Sequence, residues 1–205
     1  MKFLFDIKER FDWKIAVLTI VSTIVIIVER YNKITSWETL DRLILFFLIP
    51  MVVILIVFRD SPRNYGFQIG DWRAGLILTA GSIMLIAPIL YFLARSDASM
   101  KDYYYWQVQF LPWQLLAEMF AWEFLFRGWL LFGYARKFGP EAIWLQAVPF
   151  ALAHLGKPEI ETLSTIFGGF IFGWIAYRTR SFLYPFIIHF FVSSFTIIVA
   201  AGLLG

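Results

Sequence analysis

Residues 74–94 read AGLILTAGSIMLIAPILYFLA, a run of 21 residues without one charged side chain. A helix needs about 20 mostly apolar residues to cross a hydrocarbon core roughly 30 Å thick. This run meets that demand, and the chain repeats the pattern on both sides of it. Further apolar segments cover 13–29, 40–58, 111–134, 141–156, 160–177 and 182–204. Polar, turn-rich stretches separate them, such as Phe58 to Trp72 with Pro62 and Gly66, and Gly156-Lys157-Pro158 after the fifth segment. Glycine caps a helix and proline cannot continue one, so each punctuates the pattern. The fold class that follows is all-α: a polytopic transmembrane helical bundle of about seven spanning helices, with residues 1–205 forming a single membrane domain.

Composition agrees. The 205 residues are 60% hydrophobic and only 16% charged, against about 25% charged in a soluble domain. The net charge of +3 comes without a basic run, which favours membrane lipid as a partner and excludes nucleic acid. There are no cysteines, so disulfides and thiolate metal sites are excluded. The apolar run from Ile15 to Val28 ends in Glu29-Arg30 without a small-residue cleavage pattern, and reads as a retained helix. With seven spans and the N-terminus inside, inner segments hold Lys2, Lys8, Arg10, Lys14, Arg59, Arg63, Arg73, Arg136, Lys137, Arg178 and Arg180. Outer segments hold Arg30, Lys33, Arg42, Arg95, Lys101 and Lys157. Eleven against six predicts a cytoplasmic N-terminus. Tyr103-Tyr104-Tyr105-Trp106 suits an interfacial belt or a segment lying on the bilayer. Gly169 and Gly173 form a small-xxx-small pair suited to close helix packing.

Ionisable residues inside these segments are the functional signal. A central Asp, Lys or Arg costs roughly 2.5–3.5 kcal/mol on insertion scales, so such residues usually face a bundle interior or a water cavity. The fourth segment contains Glu118, Glu123 and Arg127; the fifth and seventh contain His154 and His189, the only two histidines. Glu123 and Arg127 are four apart and share a helix face, so an ion pair there lowers the cost of both. For one membrane histidine, an interhelical hydrogen bond is the commonest role. Two histidines and a carboxylate on three helices also suit water activation or a divalent metal such as zinc.

Three motifs resemble those of the CPBP intramembrane proteases, the family of CAAX prenyl endopeptidases and bacterial proteins linked to bacteriocin processing and immunity. They are Glu123-Phe-Leu-Phe-Arg127-Gly128, Phe150-Ala-Leu-Ala-His154, and His189 with Ser193 four residues on. The resemblance covers residues 111–204 as the catalytic core. It implies an intramembrane endopeptidase that cleaves a peptide or protein substrate in or near the bilayer by Glu/His-activated water. It implies Glu123, Arg127, His154, His189 and Ser193 as site residues. If a metal is bound, His154, His189 and Glu123 are its implied ligands. It also places the protein in a bacterial plasma membrane.

Two positions depart from the family pattern. Where the family has a first glutamate, this chain has Trp122, which cannot accept a proton; where it has asparagine, this chain has Ser193. Three readings remain open. Glu123 does the base's work, or Glu118 does so from one turn earlier and about 40° round the helix. The third is a non-hydrolytic scaffold, immunity or partner-binding protein on the same fold. A transporter would need an internal repeat, which the sequence lacks. Lys157, Glu159 and Glu161 read as a solvated loop, or as groups at the mouth of a cavity.

Overall fold

A computed structural model describes residues 11–204. Lys2, Lys8 and Arg10, which weigh in the orientation argument, lie outside the described residues. Among the described residues the chain is helical throughout, with seven principal helices: α1 (Trp13–Tyr31), α2 (Glu38–Val57), α3 (Trp72–Ser96), α4 (113–138), α5 (Ala142–Ala153), α6 (Glu159–Thr179) and α7 (Leu183–Ala200). A short helix, Ala98–Tyr104, and a 3-10 turn, Tyr105–Phe110, link α3 to α4.

Four of these, α2, α3, α6 and α7, are long and apolar enough to cross a membrane. The other three fall short for visible reasons. α1 carries Lys14, Glu29 and Arg30, and α4 carries Glu118, Glu123 and Arg127. α5 has only 12 residues, about 18 Å at 1.5 Å per residue. It ends at Ala153 rather than at 156, because residues 154–157 fold into a tight turn closed by the Lys157 amide on the His154 carbonyl at 3.1 Å.

α4 runs through the centre, with every residue from Ala121 to Leu131 buried. α1 packs on it by one face, Leu18, Ser22 and Val25, the spacing of a helical stripe. Trp129 Nε1 donates to Ser22 Oγ across that contact at 2.8 Å. α2 is wound as π-helix over Leu43–Leu48 and Val53–Val57, on either side of Pro50. Proline lacks an amide hydrogen and its ring crowds the preceding turn, so a wider turn relieves the clash. α4 also widens to π-helix over Phe124–Leu130, directly after Glu123. α3 exposes Ile77, Leu85 and Phe92, side chains suited to lipid tails.

α5 and α6 approach closely because Gly169 and Gly173 leave room. A Cβ at Gly169 would sit 3.1 Å from the Ala147 Cβ, and one at Gly173 only 2.4 Å from Gln146 Nε2. Gln146 is fully buried and donates to the Gly169 carbonyl at 2.8 Å. At the far end from His154, Asp60 pairs with Arg136 and Asp71 with Arg178 at 2.9 Å. These ties hold the 58–71 loop against the ends of α4 and α6. The Tyr184 hydroxyl adds a bond to the Ile69 carbonyl at 2.9 Å.

Two measurements check this packing. Gly173→Val should cost roughly 1–3 kcal/mol, the usual range for overpacking, and lower the unfolding midpoint in detergent; an unchanged midpoint would contradict the α5–α6 contact. Burial pushes the Asp60 carboxyl up, but hydrogen bonds from Arg136, Asn64 and the Ser61 amide outweigh it and hold it below its ordinary value. A carboxyl depressed in the folded state stabilises fully above its unfolded pKa, about 3.9, and loses that contribution as pH falls through the lower folded value. The unfolding midpoint of the wild type should therefore drop more steeply below about pH 4 than that of Asp60→Asn.

Candidate functional site

The site begins with Glu123 in the middle of α4. Its side chain is fully buried, and one oxygen, Oε1, accepts two hydrogen bonds. Arg127 Nη1 donates at 3.1 Å from one helical turn on, and His189 Nδ1 donates at 2.6 Å from α7. The other oxygen, Oε2, is buried without a protein partner. Arg127 is also fully buried, and its Nε and Nη2 lack partners. Its guanidinium instead lies 3.8 Å above the centre of the Phe150 ring and 5.2 Å from that of Phe172. Aromatic faces attract cations, most strongly where water is excluded.

His154 caps the C-terminus of α5. Its Nδ1 lies 2.8 Å from the Phe150 carbonyl; a carbonyl can only accept, so Nδ1 carries the hydrogen. That bond satisfies one of the carbonyls a helix end leaves open. Thr162 Oγ1, in the first turn of α6, donates to the His154 carbonyl at 3.0 Å and fixes the turn. The His154 and His189 rings lie 6.4 Å apart at 24°. In both rings Nδ1 is occupied, leaving Nε2 as the free acceptor of the neutral form. Ser193, one turn after His189, places Oγ 3.4 Å from Met119 Sδ.

Two cavities meet at the histidines. A polar one of about 440 Å³ opens between the α1–α2 loop, the 103–114 segment and Lys157. An apolar one of about 270 Å³ extends beneath α3 and α6, lined by residues such as Leu85, Leu90 and Ile171. Tyr104, His154, His189 and Ser193 border both. Glu123 borders neither, so its carboxylate reaches the cavity only through His189.

The remaining residues singled out in the sequence have definite places. Trp122 is buried and sets its ring edge-on to His154 at 5.3 Å. It borders the polar cavity without closing it. Glu118 accepts from Thr39 Oγ1 at 2.7 Å and from Arg42 Nη1 at 2.5 Å, which ties it to α2. Lys157 Nζ donates to Glu161 Oε1 at 3.0 Å, and Glu161 Oε2 accepts from the Tyr104 hydroxyl at 2.5 Å. Lys157 and Glu161 are therefore cavity residues, not a solvated loop. Tyr104 departs from the interfacial reading of its cluster: it is buried here, while Tyr105 and Trp106 are exposed. Sequence reasoning missed the Phe150 and Phe172 contacts with Arg127; an arginine in an apolar helix was the available signal that aromatic faces were needed.

The anticipated metal set of His154, His189 and Glu123 can be tested on this geometry. Two rings 6.4 Å apart lie within the roughly 10 Å that a shared ion allows with Zn–N bonds of about 2.0–2.1 Å. Among the described residues, however, no three His, Asp or Glu side chains are grouped to hold a metal. Glu123 Oε1 already serves His189 and Arg127. The residues as placed do not fit a shared metal ion.

No curated protein and no solved structure matches the chain. Residues 104–195, the stretch carrying all five implied site residues, match the family model of the Rce1-like type II CAAX prenyl endopeptidases, a match consistent with the resemblance to the CPBP family.

Proposed function

We propose that the protein is an intramembrane endopeptidase of the plasma membrane, with its N-terminus cytoplasmic, that cleaves a membrane-associated peptide by water held between His189 and His154. The observation that carries this reading is the 2.6 Å bond from His189 Nδ1 to the buried Glu123 carboxylate, beside a second histidine at the meeting point of two cavities. In this reading one water bridges the two Nε2 atoms across the 6.4 Å between the ring centres.

In this reading His189 is the base. It takes a proton from the water as the oxygen attacks the substrate carbonyl carbon, and Glu123 neutralises the imidazolium that forms. The proton then passes from His189 Nε2 to the departing amine as the C–N bond breaks. Glu123 thus has the orienting and charge-balancing part of a triad carboxylate, which shares the logic but not the fold of serine proteases. It acts through His189, so the absence of a glutamate at Trp122 does not remove the base. His154 holds the second hydrogen of the water. The developing oxyanion needs a donor, and the cavity offers the Lys157 ammonium and the Ser193 hydroxyl. The apolar cavity takes a hydrophobic chain next to the scissile bond, in keeping with the prenylated peptides named by the family. The scaffold reading keeps one supporting fact, the Trp122 indole at the place of the family's first glutamate.

The primary test compares membrane-protein N-termini by mass spectrometry in cells expressing wild type or Glu123→Gln/His154→Ala at matched levels. New N-termini confined to wild type are expected; none, with both proteins folded, would favour the scaffold. On an identified substrate, Glu123→Gln alone should lower kcat by about 10²–10⁴-fold with little change in KM. Lys157→Met should lower kcat by roughly 10–10²-fold, while Lys157→Arg retains most of it. Chelators should leave activity unchanged, and a loss reversed by zinc would replace this water-activation scheme with a metal-dependent one.

A further inference from the structure

Two of the helices long and apolar enough to cross a membrane, α2 and α6, are ended in the same unusual way. Each is followed by an arginine in the left-handed region, Arg59 at φ 51° and Arg180 at φ 57°. The next amide closes the turn in both: the Asp60 N–H donates to the Ile54 carbonyl at 3.0 Å, and the Ser181 N–H to the Ala176 carbonyl at 3.1 Å. Such a helix end favours glycine, because a Cβ is strained at positive φ. Among the described residues, Arg59 and Arg180 are the only non-glycine positions with a positive φ.

Both arginines lie at the end of the bundle away from His154. Arg59 opens the 58–71 loop, and Gln68 Nε2 of that loop donates to the Arg180 carbonyl at 3.1 Å. Arg63 stands in the same loop. All three residues are exposed, and among the described residues none of their guanidinium groups has a hydrogen-bond or ion-pair partner. The carboxylates of the loop are taken, Asp60 by Arg136 and Asp71 by Arg178. Trp13 and Trp72 are exposed at this end, Trp13 edge-on to Phe58 at 5.4 Å and Trp72 with the Arg73 guanidinium 5.5 Å from its ring centre. Tryptophan concentrates at the headgroup level of a bilayer.

We propose that Arg59, Arg63 and Arg180 form a binding site for the headgroup of an anionic phospholipid. A spanning helix ends near the polar headgroup layer, and a guanidinium meets phosphate oxygens with paired N–H donors. A zwitterionic headgroup carries its own cation beside the phosphate, whereas an anionic one leaves that charge to the protein. The site is independent of the protease reading, and of which face of the membrane this end meets.

The test is to titrate the detergent-purified full chain with dioleoyl phosphatidylglycerol or dioleoyl phosphatidylcholine and to count bound lipid by native mass spectrometry. Wild type should prefer phosphatidylglycerol by on the order of tenfold, and the preference should shrink as salt rises. Arg59→Gly/Arg180→Gly removes the charge and suits the left-handed backbone. It should abolish most of the preference, while its unfolding midpoint in phosphatidylcholine stays level or rises. Arg59→Lys/Arg180→Lys should keep much of the preference, and so should Lys33→Gln/Lys101→Gln, which removes the same charge at the opposite end. Cations are also favoured at helix C-termini; a fall in the midpoint of the glycine pair would show that the guanidinium groups brace the fold instead, and would overturn the proposal. So would equal lipid binding by the glycine pair and wild type, or an equal loss in the Lys33/Lys101 pair. Inorganic phosphate alone should leave the midpoint unchanged, and a shift as large as that given by phosphatidylglycerol would sink the assignment to lipid.

Discussion

The structure is organised around one buried carboxylate oxygen. Glu123 Oε1 holds Arg127 of its own helix and His189 of α7. Together the three groups turn two isolated charges in an apolar core into a compensated cluster. Breaking a buried pair by removing one member typically costs about 3–5 kcal/mol, because the other charge stays behind unpaired. The surrounding elements serve this constraint. Phe150 and Phe172 supply ring faces to the guanidinium, and the π-helical stretch after Glu123 keeps every residue from Phe124 to Leu130 buried. α7 is held against α4 by the same bond that orients the His189 ring.

In the proposed mechanism the division of labour between the histidines follows from their hydrogen-bond partners. His189 faces a carboxylate and so has a counter-ion when it takes a proton. His154 faces the neutral Phe150 carbonyl and serves by position. The Trp122 indole, at the position of the family pattern's first glutamate, packs edge-on against His154 and helps hold that ring. The two positions that depart from the family pattern, Trp122 and Ser193, both border the polar cavity, so they alter its lining rather than the Glu123–Arg127–His189 cluster beneath.

Much of the helical layout was legible because membrane segments announce themselves by length and by absence of charge. The expected 74–94 became Trp72–Ser96, and 160–177 became Glu159–Thr179. Three ends moved by three or four residues: α4 runs on to 138 rather than 134, α7 stops at Ala200 rather than 204, and α5 ends at Ala153 rather than 156. At α5, Gly156 and Pro158 marked a stop, but the turn at 154–157, with the His154 side chain bonding back to Phe150, ended the helix earlier. Glu123, Arg127 and the histidines were legible as expensive residues with few reasons to be present. Their mutual contacts were not, since local spacing reports only on one helix. The same holds for Glu118, which the sequence left free to act as a base. Its ties to Thr39 and Arg42 join residues more than seventy positions apart. Tyr104 was hidden in an aromatic run whose neighbours are exposed, and only its bond to Glu161 sets it apart.

The apolar cavity has one wall made by α3, and only 6% of that helix's most apolar window is buried inside the protein. The rest of its surface, including Leu85 and Phe92, meets acyl chains. A wall with lipid behind it is braced by lateral pressure as much as by side-chain packing. The width of the cavity is therefore shared between the polypeptide and the bilayer. Acyl-chain length and order act on it directly, and a detergent micelle is a different boundary condition for the same site.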